Sequence, residues 1–118
     1  MTWEGRRVLV TGGGGFIGSH LVDALAERGA EVTALVRYNS RNDWGMLEGR
    51  YRAGEGGIRV IAGDVTDAGC ARRAVEGNEV VCHLAALIGI PYSYEAPESY
   101  IRTNLLGTLN VLQASLAA

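Results

Sequence analysis

The chain has 118 residues, enough for one domain with a buried core. Hydrophobic residues make up 47% and charged residues 20% of it, and a net charge of −2 gives no electrostatic reason to bind nucleic acid or anionic lipid. No apolar run reaches the roughly 18 residues of a membrane span, and the first residues lack the apolar stretch of a signal peptide, so we expect a cytoplasmic protein that does not bind membranes.

The basic and sulfur-containing residues narrow the possible chemistry. All 11 basic residues are arginine, so no mechanism on this chain can use a lysine as a Schiff base or in a Tyr–Lys proton relay. Cys70 and Cys82 are expected to be reduced thiols that act as small hydrophobic residues. Neither these cysteines nor His20 and His83 have the spacing of a metal site, so no metal is predicted.

The first third of the chain predicts a strand, a helix and a second strand. The apolar run Arg7–Thr11 leads into a glycine cluster and predicts a buried strand. Apolar residues at helical spacing follow over residues 16–28, with Gly29 as the stop. A continuous apolar run over residues 32–36 predicts the second buried strand.

The same alternation continues to the end of the chain. Residues 38–57 are irregular apart from one turn of helix around residues 44–48. Third and fourth strands are predicted at Ile58–Ala62 and at residues 79–84, separated by a short helix that Asp67 caps. The last helix begins near a proline, and one of its faces is apolar: Pro97, Tyr100, Ile101, Leu105, Leu109 and Leu112.

This order of elements predicts the fold. Strands that alternate with helices form βαβ units, which place a parallel sheet between helices on both faces. The strands are continuously apolar, as expected of a sheet buried on both sides. We therefore expect an α/β, Rossmann-type domain over residues 1–118, with about four strands in the order 3-2-1-4 and no second, substrate-binding domain.

The strongest motif lies between the first strand and the first helix, where residues 11–18 read TGGGGFIG. Gly12 permits a tight turn, Gly15 leaves room for a pyrophosphate against the backbone, and Gly18 lets the helix pack close to the sheet. The N–H groups at the start of the helix then face the phosphates. The motif lacks the Gly-Lys-Ser/Thr ending of a triphosphate-binding P-loop. Four consecutive glycines could instead form a flexible hairpin, but the flanking strand and helix favour a dinucleotide site.

This segment resembles the cofactor turn of the extended short-chain dehydrogenase/reductase family, which includes nucleotide-sugar epimerases and dehydratases. That family follows its second glycine with Phe-Ile-Gly, as Phe16 and Ile17 do here. The resemblance implies NAD or NADP as the cofactor, a nucleotide-sugar substrate for the complete protein, and a homo-oligomer. It covers the whole chain, which would be the N-terminal, NAD(P)-binding portion of such an enzyme.

Two other stretches, residues 36–45 and 87–94, are similar to sugar-nucleotide 4,6-dehydratases. The similarity is greatest to NAD-dependent enzymes that act on UDP-N-acetylglucosamine in the synthesis of legionaminic-type acids. Whether the complete protein is a dehydratase or an epimerase stays open at this point.

The resemblance also implies further cofactor-binding residues. Asp64 would accept a hydrogen bond from the adenine amino group, and the backbone of Val65 would donate one to the ring. In the family's His-x-Ala-Ala segment, which begins here at His83, the small residues let the ribose and nicotinamide lie against the backbone, while the histidine is structural. The remaining positions are Leu84, Ala85 and Ala86 of that segment, and Asn104 on the last helix, which would lie at the floor of the site.

The end of the second strand leaves the choice between NAD and NADP open. NAD-binding domains usually carry Asp or Glu there, whereas this chain has Val36 and Arg37, with Ser40 and Arg41 close behind. An arginine at this point can pair with a 2′-phosphate, which favours NADP, but the similar enzymes are described as NAD-dependent. A solvated loop is the alternative role for the two arginines.

The family's Tyr-x-x-x-Lys catalytic pair is missing from this chain. Tyr92 and Tyr94 are followed four residues later by Ala96 and Glu98. The sequence therefore predicts the dinucleotide-binding portion of a nucleotide-sugar 4,6-dehydratase or epimerase, catalytically incomplete as it stands. The alternatives are a non-catalytic NAD(P)-binding module and a structural or engineered half-domain.

The fourth strand would have an open edge with unpaired backbone groups, which predicts that the chain self-associates.

Overall fold

The computed structural model describes residues 2–37, 45–47, 57–88 and 90–118. Its centre is a four-stranded parallel sheet with the predicted order β3-β2-β1-β4. The strands are β1 (Arg7–Thr11), β2 (Glu31–Val36), β3 (Ile58–Ala62) and β4 (Val80–His83). Each lies within a residue of the bounds that the apolar runs predict, and the predicted α/β fold class is confirmed.

Two helices follow the predicted pattern. They are α1 (Phe16–Glu27) and α2 (Ala68–Val75). The carboxylate of Asp67 accepts hydrogen bonds from the N–H groups of Gly69 and Cys70, at 2.9 and 3.2 Å, and so caps α2 as predicted. The turn predicted around residues 44–48 is a 3₁₀ turn at Gly45–Leu47.

The last part of the chain is a run of helical segments. They are α3 (Ile90–Glu95), α4 (Pro97–Ile101), a π-helical segment (Arg102–Leu106) and α5 (Gly107–Ala117). The helix predicted from Pro97 is therefore present, but it widens in the middle, which the periodicity did not predict. None of the helices in the described ranges is both long and apolar enough to cross a membrane.

Hydrophobic cores cover both faces of the sheet. On one face, Val8 and Val10 of β1 pack with Val22 and Leu25 of α1. On the other face, Leu9 of β1 packs with residues of α2 and α5, namely Ala71, Val75, Val111 and Ala114. Successive residues of β1 thus serve opposite cores, as the continuous apolar strands predict.

The apolar face predicted for the last helix is not the face that the fold buries. Leu105, Leu109 and Leu112 are 67%, 50% and 63% exposed. The buried residues of α5 are small or β-branched: Gly107, Val111 and Ala114. A Cβ at Gly107 would come within 2.6 Å of Val65 Cγ2, so the face with small side chains is the one that can approach the sheet closely.

Candidate functional site

A cleft of about 610 Å³ lies over the carboxyl ends of the strands. The register aligns Thr11 of β1 with Leu35 of β2 and His83 of β4, so the loops that follow the three strands start side by side. Strands β2 and β3 are added on one side of β1 and β4 on its other side, and open α/β sheets bind ligands at such a switch point. The lining residues are Gly12, Gly14, Gly15, Leu35, Val36, Arg37, Gly45, Gly63, Asp64, Val65, Leu84, Ala85, Ala86, Leu87 and Thr103.

The glycine turn after β1 forms one wall of the cleft. Gly12 has a φ of +70°, and a Cβ there would come within 2.9 Å of the backbone nitrogen of Ala85. A Cβ at Gly18 would overlap the carbonyl oxygen of Gly12, so the start of α1 packs directly on the turn. Both positions therefore need glycine for the fold itself.

Gly15 differs from these two glycines because the space beside it is open. A Cβ there would meet only the carbonyl oxygen of Gly12, at 3.4 Å, and the backbone of Gly15 is extended. Gly15 is also the N-cap of α1, and no side chain caps this helix. The first N–H groups of α1 therefore lack partners within the helix at a point that adjoins the cleft, which suits an anion.

The loop after β3 carries the one carboxylate among the described residues that line the cleft. Asp64 Oδ1 accepts a hydrogen bond from the N–H of Thr66 at 2.9 Å, which makes a tight turn at the end of the strand. The side-chain amide of Asn110 donates to the carbonyl oxygen of Val65 at 2.8 Å. Helix α5 thus holds this loop in place.

Thr11 organises the loop after β4 through one hydroxyl group. Its Oγ1 accepts hydrogen bonds from the N–H groups of Leu84 and Ala85, at 3.0 and 3.1 Å. The same oxygen lies 2.7 Å from Nδ1 of His83. Both lone pairs of the hydroxyl are used by the two N–H groups, so the hydroxyl must donate its proton to Nδ1.

This assignment sets the tautomer of His83. With Nδ1 as acceptor, the proton lies on Nε2, which donates to Thr108 Oγ1 at 3.1 Å. Thr108 in turn donates to the carbonyl oxygen of Asn104 at 2.7 Å. Burial lowers the pKa of His83 below its ordinary value of 6.5, which favours this neutral form. The structural role predicted for His83 agrees with the two bonds.

Asn104 holds the same loop from the other side. Its side-chain amide donates to the carbonyl oxygen of Leu87 at 3.0 Å, and its Oδ1 accepts the N–H of Leu87 at 2.9 Å. The side chain of Asn104 therefore binds both the N–H and the carbonyl oxygen of Leu87, which fixes the end of the loop over residues 84–87. Its neighbour Thr103, not Asn104, lines the cleft.

The structure brings most of the predicted site residues together. Eight of them line the cleft: Gly12, Gly15, Arg37, Asp64, Val65, Leu84, Ala85 and Ala86. Gly18 and Asn104 support its walls, as described above. The side chains of Phe16 and Ile17 are 67% and 70% exposed, and the structure does not place these two residues in the lining of the cleft. Ser40 lies outside the described residues.

Several lining residues were not predicted. Gly14, Val36 and Gly63 adjoin predicted positions, and Leu35 lies two residues before Arg37, so extending each motif by one or two residues would have found them. Gly45 comes from the irregular stretch, where a Cβ would lie 2.6 Å from the carbonyl oxygen of Gly14, and no pattern in the sequence indicates this approach. Leu87 and Thr103 are brought into the cleft by the packing of the last helices.

Comparison with known proteins shows the family to which the chain belongs. A family model described as GDP-mannose 4,6 dehydratase matches residues 9–118. UDP-glucuronate 4-epimerase 3 of Arabidopsis thaliana is 37% identical over 120 residues, which cover 99% of this chain. The chain spans 28% of the length of that relative.

Solved structures share the fold. Pen from Bacillus thuringiensis has a TM-score of 0.88 and 26% identity, over 99% of this chain and 35% of that one. UDP-glucose 4-epimerase of Thermus thermophilus, in complex with NAD, has a TM-score of 0.74 and 36% identity, over 92% of this chain and 33% of that one. Since the family model matches from β1 to the last residue, the chain belongs to the GDP-mannose 4,6-dehydratase family, among the extended short-chain dehydrogenase/reductase epimerases and dehydratases.

Proposed function

We propose that the chain binds NAD or NADP in the cleft over the carboxyl ends of its strands. The observation that carries this proposal is the open space beside Gly15, at the uncapped start of α1. A diphosphate lying there would accept hydrogen bonds from the N–H groups of the first helical turn. The similarity to a UDP-glucose 4-epimerase whose structure holds NAD supports the same cofactor class.

The two ends of the cleft suit the two halves of a dinucleotide. Asp64 and the backbone of Val65 would receive the adenine, and the loop over residues 84–87 would receive the nicotinamide ribose. Thr11 and Asn104 hold that loop with its small residues toward the cleft, so a flat ring can lie against the backbone. When bound, the cofactor supplies the hydride chemistry, and this chain supplies its position.

We further propose that the chain is the cofactor-binding portion of an enzyme that modifies nucleotide sugars. The family description names a 4,6-dehydratase and the similar curated protein is a 4-epimerase. Two stretches of the chain resemble sugar-nucleotide 4,6-dehydratases, so dehydration and epimerisation are both proposed as reactions of the complete protein. Because this chain has no lysine, a Tyr–Lys proton relay would have to come from outside it. A homo-oligomer in the cytoplasm remains the prediction for the complete protein.

A non-catalytic NAD(P)-binding module is the second candidate function. The observation in its favour is the absence of lysine, which removes the family's proton relay from this chain. The two candidates differ in what lies beyond the 118 residues. A Tyr-x-x-x-Lys motif downstream in the same gene would support the enzyme.

Cofactor binding can be tested by titrating the chain with NAD, NADP and ADP-ribose by calorimetry, in wild type and in Gly15→Ala. The alanine methyl group fits the extended backbone but protrudes where the diphosphate would lie. We expect affinity for all three ligands to fall by about tenfold or more, and stability to fall by at most about 1 kcal/mol.

Gly69→Ala is the matched control, because Gly69 lies in α2 away from the cleft and alanine favours a helix. It should leave the affinities unchanged. A folded wild-type chain that binds none of the three ligands, or a Gly15→Ala chain that binds them as well as wild type, would contradict the proposal.

A further inference from the structure

The two residues at the end of β2, Val36 and Arg37, are unusual for a dinucleotide site. Val36, the last residue of the strand, is 2% exposed and packs in the core on the α1 face of the sheet. Arg37 follows it, is exposed and lines the cleft. Within the described residues, the only ion pairs are those of Arg6 and Arg7 with Glu79, so the guanidinium of Arg37 has no acidic partner there.

The end of β2 therefore lacks the carboxylate that selects NAD. In NAD-binding Rossmann domains, a carboxylate near the end of the second strand accepts a hydrogen bond from the 2′-hydroxyl of the adenosine ribose, and it repels a phosphate at the same place. Val36 can do neither. Arg37 instead offers a permanent positive charge with several donors in a planar fork, which matches a phosphate group.

The other charged groups in the cleft do not oppose a phosphate at this position. Among the described lining residues, the charged side chains are Arg37 and Asp64. Asp64 follows β3, not β2, and one of its oxygens is already bound to the N–H of Thr66. A 2′-phosphate at the end of β2 would therefore meet one cation and no carboxylate from that strand.

We infer that the cleft takes NADP in preference to NAD, and that Arg37 binds the 2′-phosphate of the adenosine ribose. This inference rests on the proposed function, because a dinucleotide must first enter the cleft. It separates this chain from the similar T. thermophilus epimerase, whose structure holds NAD. Arg37 is thus assigned as the residue that determines cofactor specificity.

The test compares two ligand pairs that differ only by the phosphate: NADP with NAD, and 2′-phospho-ADP-ribose with ADP-ribose. Calorimetric titration of the wild-type chain at low ionic strength should give at least about tenfold tighter binding of the phosphorylated member in each pair. Raising the salt concentration should reduce this ratio, because the phosphate–guanidinium attraction at an exposed site is screened.

Variants of Arg37 test whether this residue determines the preference for NADP. In Arg37→Gln the ratio should fall to near one, and in Arg37→Lys, which keeps the charge but loses the fork, part of it should remain. Arg59→Gln removes the same charge from an exposed position on β3 that does not line the cleft, and the ratio should be unchanged.

The outcomes separate the two proposals. Binding of both NAD and NADP with a wild-type ratio of one or less would overturn the NADP preference while leaving the proposed function intact. A high ratio that survives Arg37→Gln would overturn the assignment to Arg37. If neither dinucleotide binds the folded chain, the proposed function fails, and the NADP preference fails with it.

Discussion

Thr11 and His83 are the last residues of β1 and β4, and their side chains meet because the two strands pair in register. Neither residue is a cofactor-binding residue in the prediction from sequence, yet together they position the loop that follows β4. The hydroxyl of Thr11 binds two N–H groups of that loop and the ring of His83. Protonation of His83 would put a second N–H opposite a hydroxyl whose lone pairs are already used.

The stability of the chain should therefore depend on pH through His83. Burial lowers the pKa of His83 in the folded chain below the 6.5 that it has when unfolded. Below about pH 6.5 the unfolded chain then binds the proton more readily, so the stability contributed by neutral His83 is full above this pH and is lost as the pH falls.

We expect denaturant unfolding between about pH 5.5 and 7.5 to show this loss in wild type and a shallower dependence in His83→Asn. His20→Asn is the control, because His20 is exposed on α1 and its removal leaves the Thr11–His83–Thr108 chain intact. The same pH dependence in wild type and in His83→Asn would show that His83 does not carry the effect.

At the scale of elements, α5 and the π-helical segment before it hold both cleft loops. Asn104 binds the backbone of Leu87, and Asn110 binds the carbonyl oxygen of Val65. This depends on the close approach of α5, which Gly107 permits because a Cβ there would lie 2.6 Å from Val65 Cγ2. A shift of α5 would therefore move the cleft loops as well.

Gly107→Ala should destabilise the chain although alanine is the better helix former. Overpacking against Val65 should cost about 1–3 kcal/mol, partly offset by about 1 kcal/mol of helix propensity. Thermal or urea unfolding would measure the net loss, and dinucleotide affinity should fall with it because Val65 lines the cleft.

The control for this change is Gln113→Ala, at an exposed position of α5, which should alter stability by less than about 0.5 kcal/mol. Adding Val65→Ala to Gly107→Ala should recover part of the loss, because the two changes act on one contact. Additive effects of the two substitutions would mean that this contact does not limit how closely α5 packs.

At the scale of the whole molecule, an edge of the sheet and a helical face are expected to favour association in the part of the chain that the structure describes. Strand β4 is paired there with β1 alone, so its other edge carries free backbone groups. The helices after β4 add an apolar stripe, with Ile101, Leu105, Leu109, Leu112 and Leu116 each at least 50% exposed. Contiguous apolar surface of this kind favours association.

We expect the 118-residue chain to self-associate, with a sedimentation coefficient that rises with protein concentration. Leu112→Glu, which puts a charge in the apolar stripe, should weaken the association. Gln113→Glu adds the same charge at the neighbouring exposed position outside the stripe and should have little effect. A wild-type chain that stays monomeric at high concentration would contradict this expectation.

The sequence alone determined the strand order, the glycine turn and most of the cleft walls. These features depend on local signals: continuous apolar runs mark buried strands, and glycines spaced three apart mark a tight turn on which the next helix packs closely. Once the strands alternate with helices, the handedness of the crossovers leaves few topologies, and 3-2-1-4 is the observed one.

Tertiary structure alone decided which side chains hold the cleft in shape. Thr11 and His83 are 72 residues apart, and Asn110 reaches Val65 across 45 residues, so no local pattern reveals either contact. The buried face of α5 was likewise decided by packing, because close approach to Val65 favours small side chains over the leucines that the helical periodicity indicates. Local periodicity specifies elements, whereas the pairing of distant polar groups depends on strand register and helix distance.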